Sequence, residues 1–310
     1  MLRFLLCCLV LAGGLSLQAQ ENPTVFSVVG KAKHTHGVDT LSFRVRPGNE
    51  LDATGTIALK KNTTVGILYD EEFTFLTGPG EFSLEEALDD MEESDALELL
   101  GARLEEASRP FFLDRAGLVK SDPKPQMPQN PTSNNGGNKD FQIIPLAPLE
   151  GKVSGQNIKF QWRLKEAVRS FRKVKVMVYD QDGAVLGDTI TNKQEATLVA
   201  SDLGLQTGNA YSWRIMAVEN DGIQSREVTF RYLAEGPLGE IQKDLIDDDE
   251  AYPKASATAK MLMESLLLEE EGFYTESGQR LREAVAVDKR DKLAKWLLAW
   301  HEWSYGLIPE

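Results

Sequence analysis

The chain reads as a multidomain protein, mainly β in its N-terminal and middle domains, with an α-helical hairpin at the C-terminus. Three observations predict this. Apolar residues alternate every second position through residues 24–82 and again through 140–233. Between Pro253 and Pro309 the apolar period lengthens to about 3.6. Between the two alternating regions, SDPKPQMPQNPTSNNGGNK at 121–139 has the prolines and Asn/Gly tract of a disordered linker. The boundaries that follow are a leader at 1–19, a β domain with an acidic helix at 20–120, the linker at 121–139, a β-sandwich at 140–235 and a helical unit at 236–310.

The leader, MLRFLLCCLVLAGGLSLQA, has the build of an export signal: a positive Arg3, an apolar run from Phe4 to Leu17, and a small Ala19 at the cleavage point. No later stretch approaches the ~20 apolar residues of a membrane helix, so no span is expected after cleavage. Cys7 and Cys8 leave with the leader. The expected mature chain is therefore exported, periplasmic or extracellular, and has no thiolate nucleophile, disulfide or zinc-binding cysteine. Apolar cores must hold it together, and 310 residues suffice for two or three of them.

In the first β domain, Leu41, Phe43 and Val45 alternate with polar residues, as do Val65 and Ile67. Gly48-Asn49 and Gly78-Pro79-Gly80 mark turns. Ser83 with Glu86 has capping-box spacing. Leu84, Leu88, Met91, Leu97, Leu100 and Leu104 then make one apolar helical stripe, stopped by Pro110 soon after Ala107. On Gly30-Lys31-Ala32, Pro47-Gly48-Asn49-Glu50-Leu51, TTVGILYDEEFTFL and GPGEFSLEEAL, residues 24–107 resemble the FecR-like domain of bacterial envelope proteins. The resemblance implies a fold and an envelope setting. The signal relay of better-known members needs a cytoplasmic portion and a membrane helix that are not expected here.

In the middle domain, Ile158, Phe160, Trp162 and Leu164 alternate, as do Val174, Val176 and Val178. Tyr211, Trp213, Ile215 and Ala217 repeat the pattern, and Val228, Phe230 and Tyr232 follow. DQDG and NDG between such runs are tight-hairpin signals, and strands at this spacing predict an antiparallel sandwich. IKFQWRL, KVKVMVYDQDG and AYSWRIMAVENDG resemble a fibronectin type III or immunoglobulin-like domain. The pattern places Trp162 and Trp213 on inward faces.

In the helical unit, Met261, Leu262, Ser265 and Leu268, then Leu281, Ala284 and Val285, follow the helical period. Gly272-Phe273 and Gly306-Leu307 recur at the spacing of a tetratricopeptide repeat. SLLLEEEGFYTESGQRLREAVAVDKRD resembles one degenerate repeat, with Ser277 and Lys289 departing from the family pattern. About three repeats are needed to bury a solenoid core. One hairpin plus a following helix is therefore expected to dock on something or to dimerise.

Charge and motifs exclude several functions. The net charge of −14 repels nucleic acid, which needs clustered Lys and Arg. The acidic runs SLEEALDDMEESDALELLGARLEEA and DLIDDDEAY lack the ordered ligand spacing of a calcium loop and read as solvated faces. His34 and His36 flank Thr35 on a strand, so both imidazoles share a face, with Asp39 as the near carboxylate. A third His and any Cys are missing nearby, which favours a solvated strand over a metal site. His301, in a Trp-rich helix, reads as packed. DQDG at 180–183 begins like a calcium loop but continues AVLGD between strands, so it reads as a hairpin turn. Nucleophile elbow, phosphate loop and dinucleotide fingerprint are all missing. No catalytic residue, cofactor or metal is expected, and the protein is not expected to be an enzyme.

The function expected is protein–protein scaffolding or assembly in the bacterial envelope, an analogy drawn from fold. The alternative is a sugar- or peptidoglycan-binding accessory, which exposed aromatics on the sandwich would favour. The expected partners are envelope proteins, with self-association open. Trp296, Trp300 and Trp303 recur at i, i+4 and i+7 beside Leu293 and Leu297, giving an aromatic face that either packs on the preceding hairpin, the reading favoured for Trp296 and Trp300, or serves a partner. Of these, Trp303 is expected to stay most accessible.

Overall fold

The computed structural model describes residues 22–36, 42–69, 72–107, 143–165, 173–220 and 222–307. The leader, the linker, Asp39, Leu41, Pro110, Pro309 and the Leu104 side chain lie outside the described residues.

Seven strands open the chain: β1 (Thr24–Val29), β2 (Ala32–Thr35), β3 (Ser42–Arg44), β4 (Thr56–Leu59), β5 (Thr64–Tyr69), β6 (Glu72–Thr77) and β7 (Gly80–Ser83). They form two antiparallel sheets, ordered β1-β5-β6 and β3-β2-β4-β7. Alternation puts Val25, Val65 and Ile67 of one sheet against Ala32, Ile57 and Leu59 of the other, and Leu51 and Leu84 close the core. Two helices follow, α1 (Leu84–Leu88) and α2 (Asp95–Ala107). The single helix expected from Ser83 to Ala107 is thus broken, and the Ser83 side chain makes no cap hydrogen bond. Strand pairing causes the break. Glu92 and Phe73 exchange two backbone hydrogen bonds of 2.8 Å, so β6 captures the chain between the helices.

The middle region is an antiparallel sandwich with one parallel pair at its margin. Its strands are β8 (Ile143–Ala147), β9 (Gly151–Ser154), β10 (Asn157–Leu164), β11 (Val174–Tyr179), β12 (Val185–Thr191), β13 (Glu195–Val199), β14 (Ala210–Ala217) and β15 (Val228–Leu233). A three-stranded sheet, β13-β10-β8, faces a five-stranded sheet, β12-β11-β14-β15-β9, in which β9 runs parallel to β15. Trp162 and Trp213 are buried between the sheets, and the Trp213 indole N–H donates to the Pro148 carbonyl at 3.1 Å. The Gln206 amide donates to the Tyr211 hydroxyl at 2.8 Å, pinning the entry to β14.

Five helices complete the chain: α3 (Leu238–Asp247), α4 (Ala251–Lys254), α5 (Ala257–Glu270), α6 (Tyr274–Val287) and α7 (Lys292–Ser304). The two Gly sites end α5 and α7 in the same way. Gly272 and Gly306 take φ of +81° and +68°, each amide bonds three residues back, and the next amide bonds five residues back. Left-handed glycine at a helix C-terminus satisfies carbonyls that the helix leaves unpaired. α3 precedes the hairpin that the sequence marks and was not legible as a separate element.

The helical unit docks inside its own chain. Phe26, Leu68 and Phe73 of the first β region and Ala96, Leu97 and Leu100 of α2 share one apolar cluster with α3–α7. The described residues therefore contain three cores, of which the helical one is built from both ends of the chain.

Candidate functional site

The aromatic face begins with the cap of α7. The Asp291 side chain accepts from the Ala294 amide at 3.0 Å, which starts the helix so that Trp296, Trp300 and Trp303 lie along one side. Burial, with Asp288 adding repulsion, pushes the Asp291 carboxyl up to about 6.

All three indoles are covered. Trp296, Trp300 and Trp303 are 8%, 5% and 2% exposed. Trp303, expected to be the most accessible, is the least, and none of the three offers a free partner surface in this conformation. The preceding helix α6 packs on α7, and further cover comes from elsewhere in the chain. α2 packs on α5 and α7 and buries Ala96, Leu97 and Leu100 in the helical core. The Arg103 guanidinium lies 4.3 Å from the Trp300 ring and 3.3 Å from the Glu269 carboxylate. The signal for this was present in the Leu97/Leu100 face of α2, but the pattern does not say what that face meets.

Two buried carboxylates organise the helical unit. Glu269 faces Arg103 and lies 3.5 Å from His301 Nδ1, and His301 packs against Tyr305. Tyr305 also stacks on Tyr274 at 4.8 Å, and burial beside Glu269 pushes its hydroxyl well above the usual range. Glu264 accepts from Tyr252, from Gln242 at 2.8 Å and from Arg280. Burial and Glu264 push the Tyr252 hydroxyl up as well. Buried carboxylates persist only where cations and donors surround them, and each of these ties several helices together. Sequence reasoning missed both, because Glu269 sits in a run of three Glu that reads as solvated.

The helical unit also closes one edge of the sandwich. The Lys152 amide of β9 donates to the Gly272 carbonyl at 2.8 Å, and the Leu149 amide donates to Thr275 Oγ1 at 2.9 Å. The Ser154 amide and hydroxyl donate to one Glu276 oxygen at 2.9 and 3.1 Å. Burial raises the Glu276 carboxyl above its ordinary value. These bonds satisfy backbone donors of a strand whose outer edge would otherwise be bare. Arg163 adds a bond from Nη1 to the Leu307 carbonyl at 3.1 Å.

His34 departs from the expected solvated strand: it is fully buried. Its ring does share a face with His36, with centroids 5.1 Å apart, and Phe43 packs on it. The Asp52 amide donates to His34 Nε2 at 3.2 Å, and the Asp52 carboxylate lies 3.6 Å from His36 Nδ1. That bond engages the Nε2 lone pair. Burial, then His36, hold the His34 pKa below its ordinary value, with the Thr56 backbone and Asp52 opposing.

DQDG forms the β11–β12 turn, where one Asp180 oxygen accepts from the Asp182 and Ala184 amides at 3.0 and 2.8 Å. Every described aromatic of the sandwich, from Phe160 to Tyr232, is buried, so none of them forms a stacking platform for a sugar. The two acidic runs meet: Ser94 donates to Asp249 at 2.6 Å, and Lys254 lies 3.9 Å from Glu92 and 3.6 Å from Glu250. No described helix is long and apolar enough to cross a membrane.

No family model matches the chain. No curated protein matches it either. Among solved structures, the fibronectin type III (fn3) domain of the human collagen alpha-1(XX) chain is similar at 23% identity and a TM-score of 0.20, covering 34% of this chain and 93% of that one. A likeness at that TM-score carries no argument, and the sandwich rests on its own strand pairing.

Proposed function

We propose that the protein is a non-catalytic, exported interaction scaffold of the bacterial envelope. On this reading a FecR-like β unit and a fibronectin- or immunoglobulin-like sandwich are held by a tetratricopeptide-like helical unit. One observation carries it: the helices share a core with the first unit and bond to the edge of the second. The buried Glu269 and the half-buried Glu276 serve these joints, which fix two β surfaces at a set spacing, while Glu264 ties the helices to one another. The Gly272/Gly306 helix ends support the tetratricopeptide-like reading, and the Tyr211 hydroxyl tie and the three-over-five strand arrangement support the sandwich reading. Burial of the sandwich aromatics favours this reading over sugar binding.

The test is capture of the tagged full chain from an envelope fraction, mass spectrometry of what accompanies it, and reconstitution with the purified partner. A complex of fixed stoichiometry on size exclusion is the expected result. A protein that stays out of the envelope fraction, and that forms no complex with any co-purifying candidate, overturns the reading.

A further inference from the structure

We propose that the outer face of the sheet β3-β2-β4-β7 binds a linear phosphate polymer. The chain carries 48 Asp+Glu against 34 Lys+Arg, yet this face is cationic. Alternation sends Ala32, His34, Val45, Ile57 and Leu59 to the inside. It leaves Lys31, Lys33, Arg44, Arg46 and Lys60 exposed on the other side. Lys33 stands directly opposite Arg44 of β3 and Ala58 of β4. Two backbone bonds carry that register one step further: the Val45 amide donates to the Ala32 carbonyl at 3.1 Å, and the Lys60 amide to the Lys31 carbonyl at 3.2 Å. Lys31 is thereby set between Arg46 and Lys60, and five cations fill two adjacent rows.

Such an arrangement works against the fold. Like charges directly opposite each other on neighbouring strands destabilise a sheet. The strand lysines of the sandwich avoid this, since Lys159 lies 2.9 Å from Glu195 and Lys175 lies 2.9 Å from Asp188. None of the five cations on the first sheet has an ion-pair partner among the described residues. Glu81 sits on β7, beyond Ala58, and accepts from the Thr56 hydroxyl at 3.3 Å. Asp52 faces His36. An anion laid across the two rows would relieve the repulsion that the protein itself leaves uncompensated.

The chemistry of the face selects the occupant. The next row of the sheet is Ser42, Thr35 and Thr56, so hydroxyls border the cations. Phosphate oxygens accept from hydroxyls and from Lys and Arg alike, with charge-assisted bonds from the latter. A protein partner would need an apolar centre to the interface, and this face presents Ala58 as its apolar side chain. It has no ring on which a nucleobase could stack. The sheet twists, so its rows do not lie in one plane. A flexible chain can follow them, whereas a bilayer surface meets fewer at once. Successive charges on one polymer also engage neighbouring cations at high effective concentration.

The test is fluorescence anisotropy of end-labelled inorganic polyphosphate with the full chain. Wild type should bind, and log K against log salt should fall with a slope of about −3 to −4, as for five phosphate contacts on a single strand. Lys33→Ala/Arg44→Ala should lower that slope by about 1.4 and weaken binding roughly twentyfold at about 0.1 M salt. Its thermal midpoint should be no lower than that of wild type, because a like-charge pair is removed. Lys31→Ala/Lys60→Ala tests the second row in the same way. The control Lys159→Ala/Lys175→Ala, on the sandwich, should bind as wild type does. Absence of binding, or equal binding by wild type and both variants of the first sheet, overturns the proposal. Equal loss in the sandwich control overturns the location. Tighter binding to poly-glutamate or to phosphatidylglycerol vesicles than to polyphosphate overturns the choice of occupant. None of these outcomes depends on capturing an envelope protein, so the scaffold reading stands or falls separately.

Discussion

His34 shows how one side chain can make a fold acid-sensitive. Its Nε2 must stay unprotonated to accept the Asp52 amide, and its pKa is lowered in the folded state, first by burial and then by His36. A lowered folded pKa means the unfolded chain takes up the proton first. The His34 contribution is complete above about pH 6.5 and is lost as pH falls from there through the folded pKa. Asp291 and Glu276 act in the opposite sense, because their carboxyls are raised. They are common to both proteins in a comparison of wild type with His34→Gln, whose amide oxygen can still accept from Asp52 but does not titrate. Thermal unfolding from pH 7.5 down to 5 should therefore fall more steeply for wild type. Parallel curves would show that His34 does not titrate in this way. Trp303 makes a second case. At 2% exposed it is a core residue, so Trp303→Ala should cost about 3–5 kcal/mol, read as a lowered denaturation midpoint. An unchanged midpoint would contradict its burial.

At the scale of elements, alternation located the strands because a half-buried sheet leaves that signature wherever one face meets a core. Val65 and Ile67 in β5 and Trp213 and Ile215 in β14 are buried as their spacing implies. The helix break after Leu88 was not legible, since the pairing of Glu92 with Phe73 is a backbone event that side-chain periodicity does not record. The Trp stripe was legible as one helix face, but a stripe says only that something covers it. Part of that cover is α2, almost two hundred residues earlier. The joint between β9 and the α5–α6 turn was equally silent, because the sandwich side of it is made mostly of main-chain amides. Gly151 is its one marker. It takes φ +122°, and a Cβ there would fall 2.5 Å from the Gly272 carbonyl oxygen. Gly151→Ala should thus destabilise by about 1–3 kcal/mol through backbone strain and speed amide exchange at Lys152 and Ser154. Unaltered exchange at both amides would mean that the joint tolerates a side chain.

At the scale of the molecule, covalent order and physical order differ. The sequence divides at 121–139, which invites a picture of two bodies that come apart when the chain is cut there. The packing argues otherwise. Phe26, Phe73, Leu97 and Leu100 lie before that segment, and their cluster partners Leu262, Leu266, Trp300 and Trp303 lie after it. The Arg103–Glu269 pair and the bond from the Ser256 amide to Ser27 Oγ at 2.8 Å cross the same divide. Separating the halves would expose several fully buried aromatic and leucine side chains, each worth about 1.5–3 kcal/mol. It would also strand the Glu269 carboxylate without its arginine. A protease site inserted between Ser121 and Lys139 gives the decisive experiment. After complete cleavage the two fragments should co-elute on size exclusion at micromolar concentration, and they should part only as the helical unit unfolds in denaturant. Two peaks under native conditions would mean that the shared core does not hold the halves together without the covalent link.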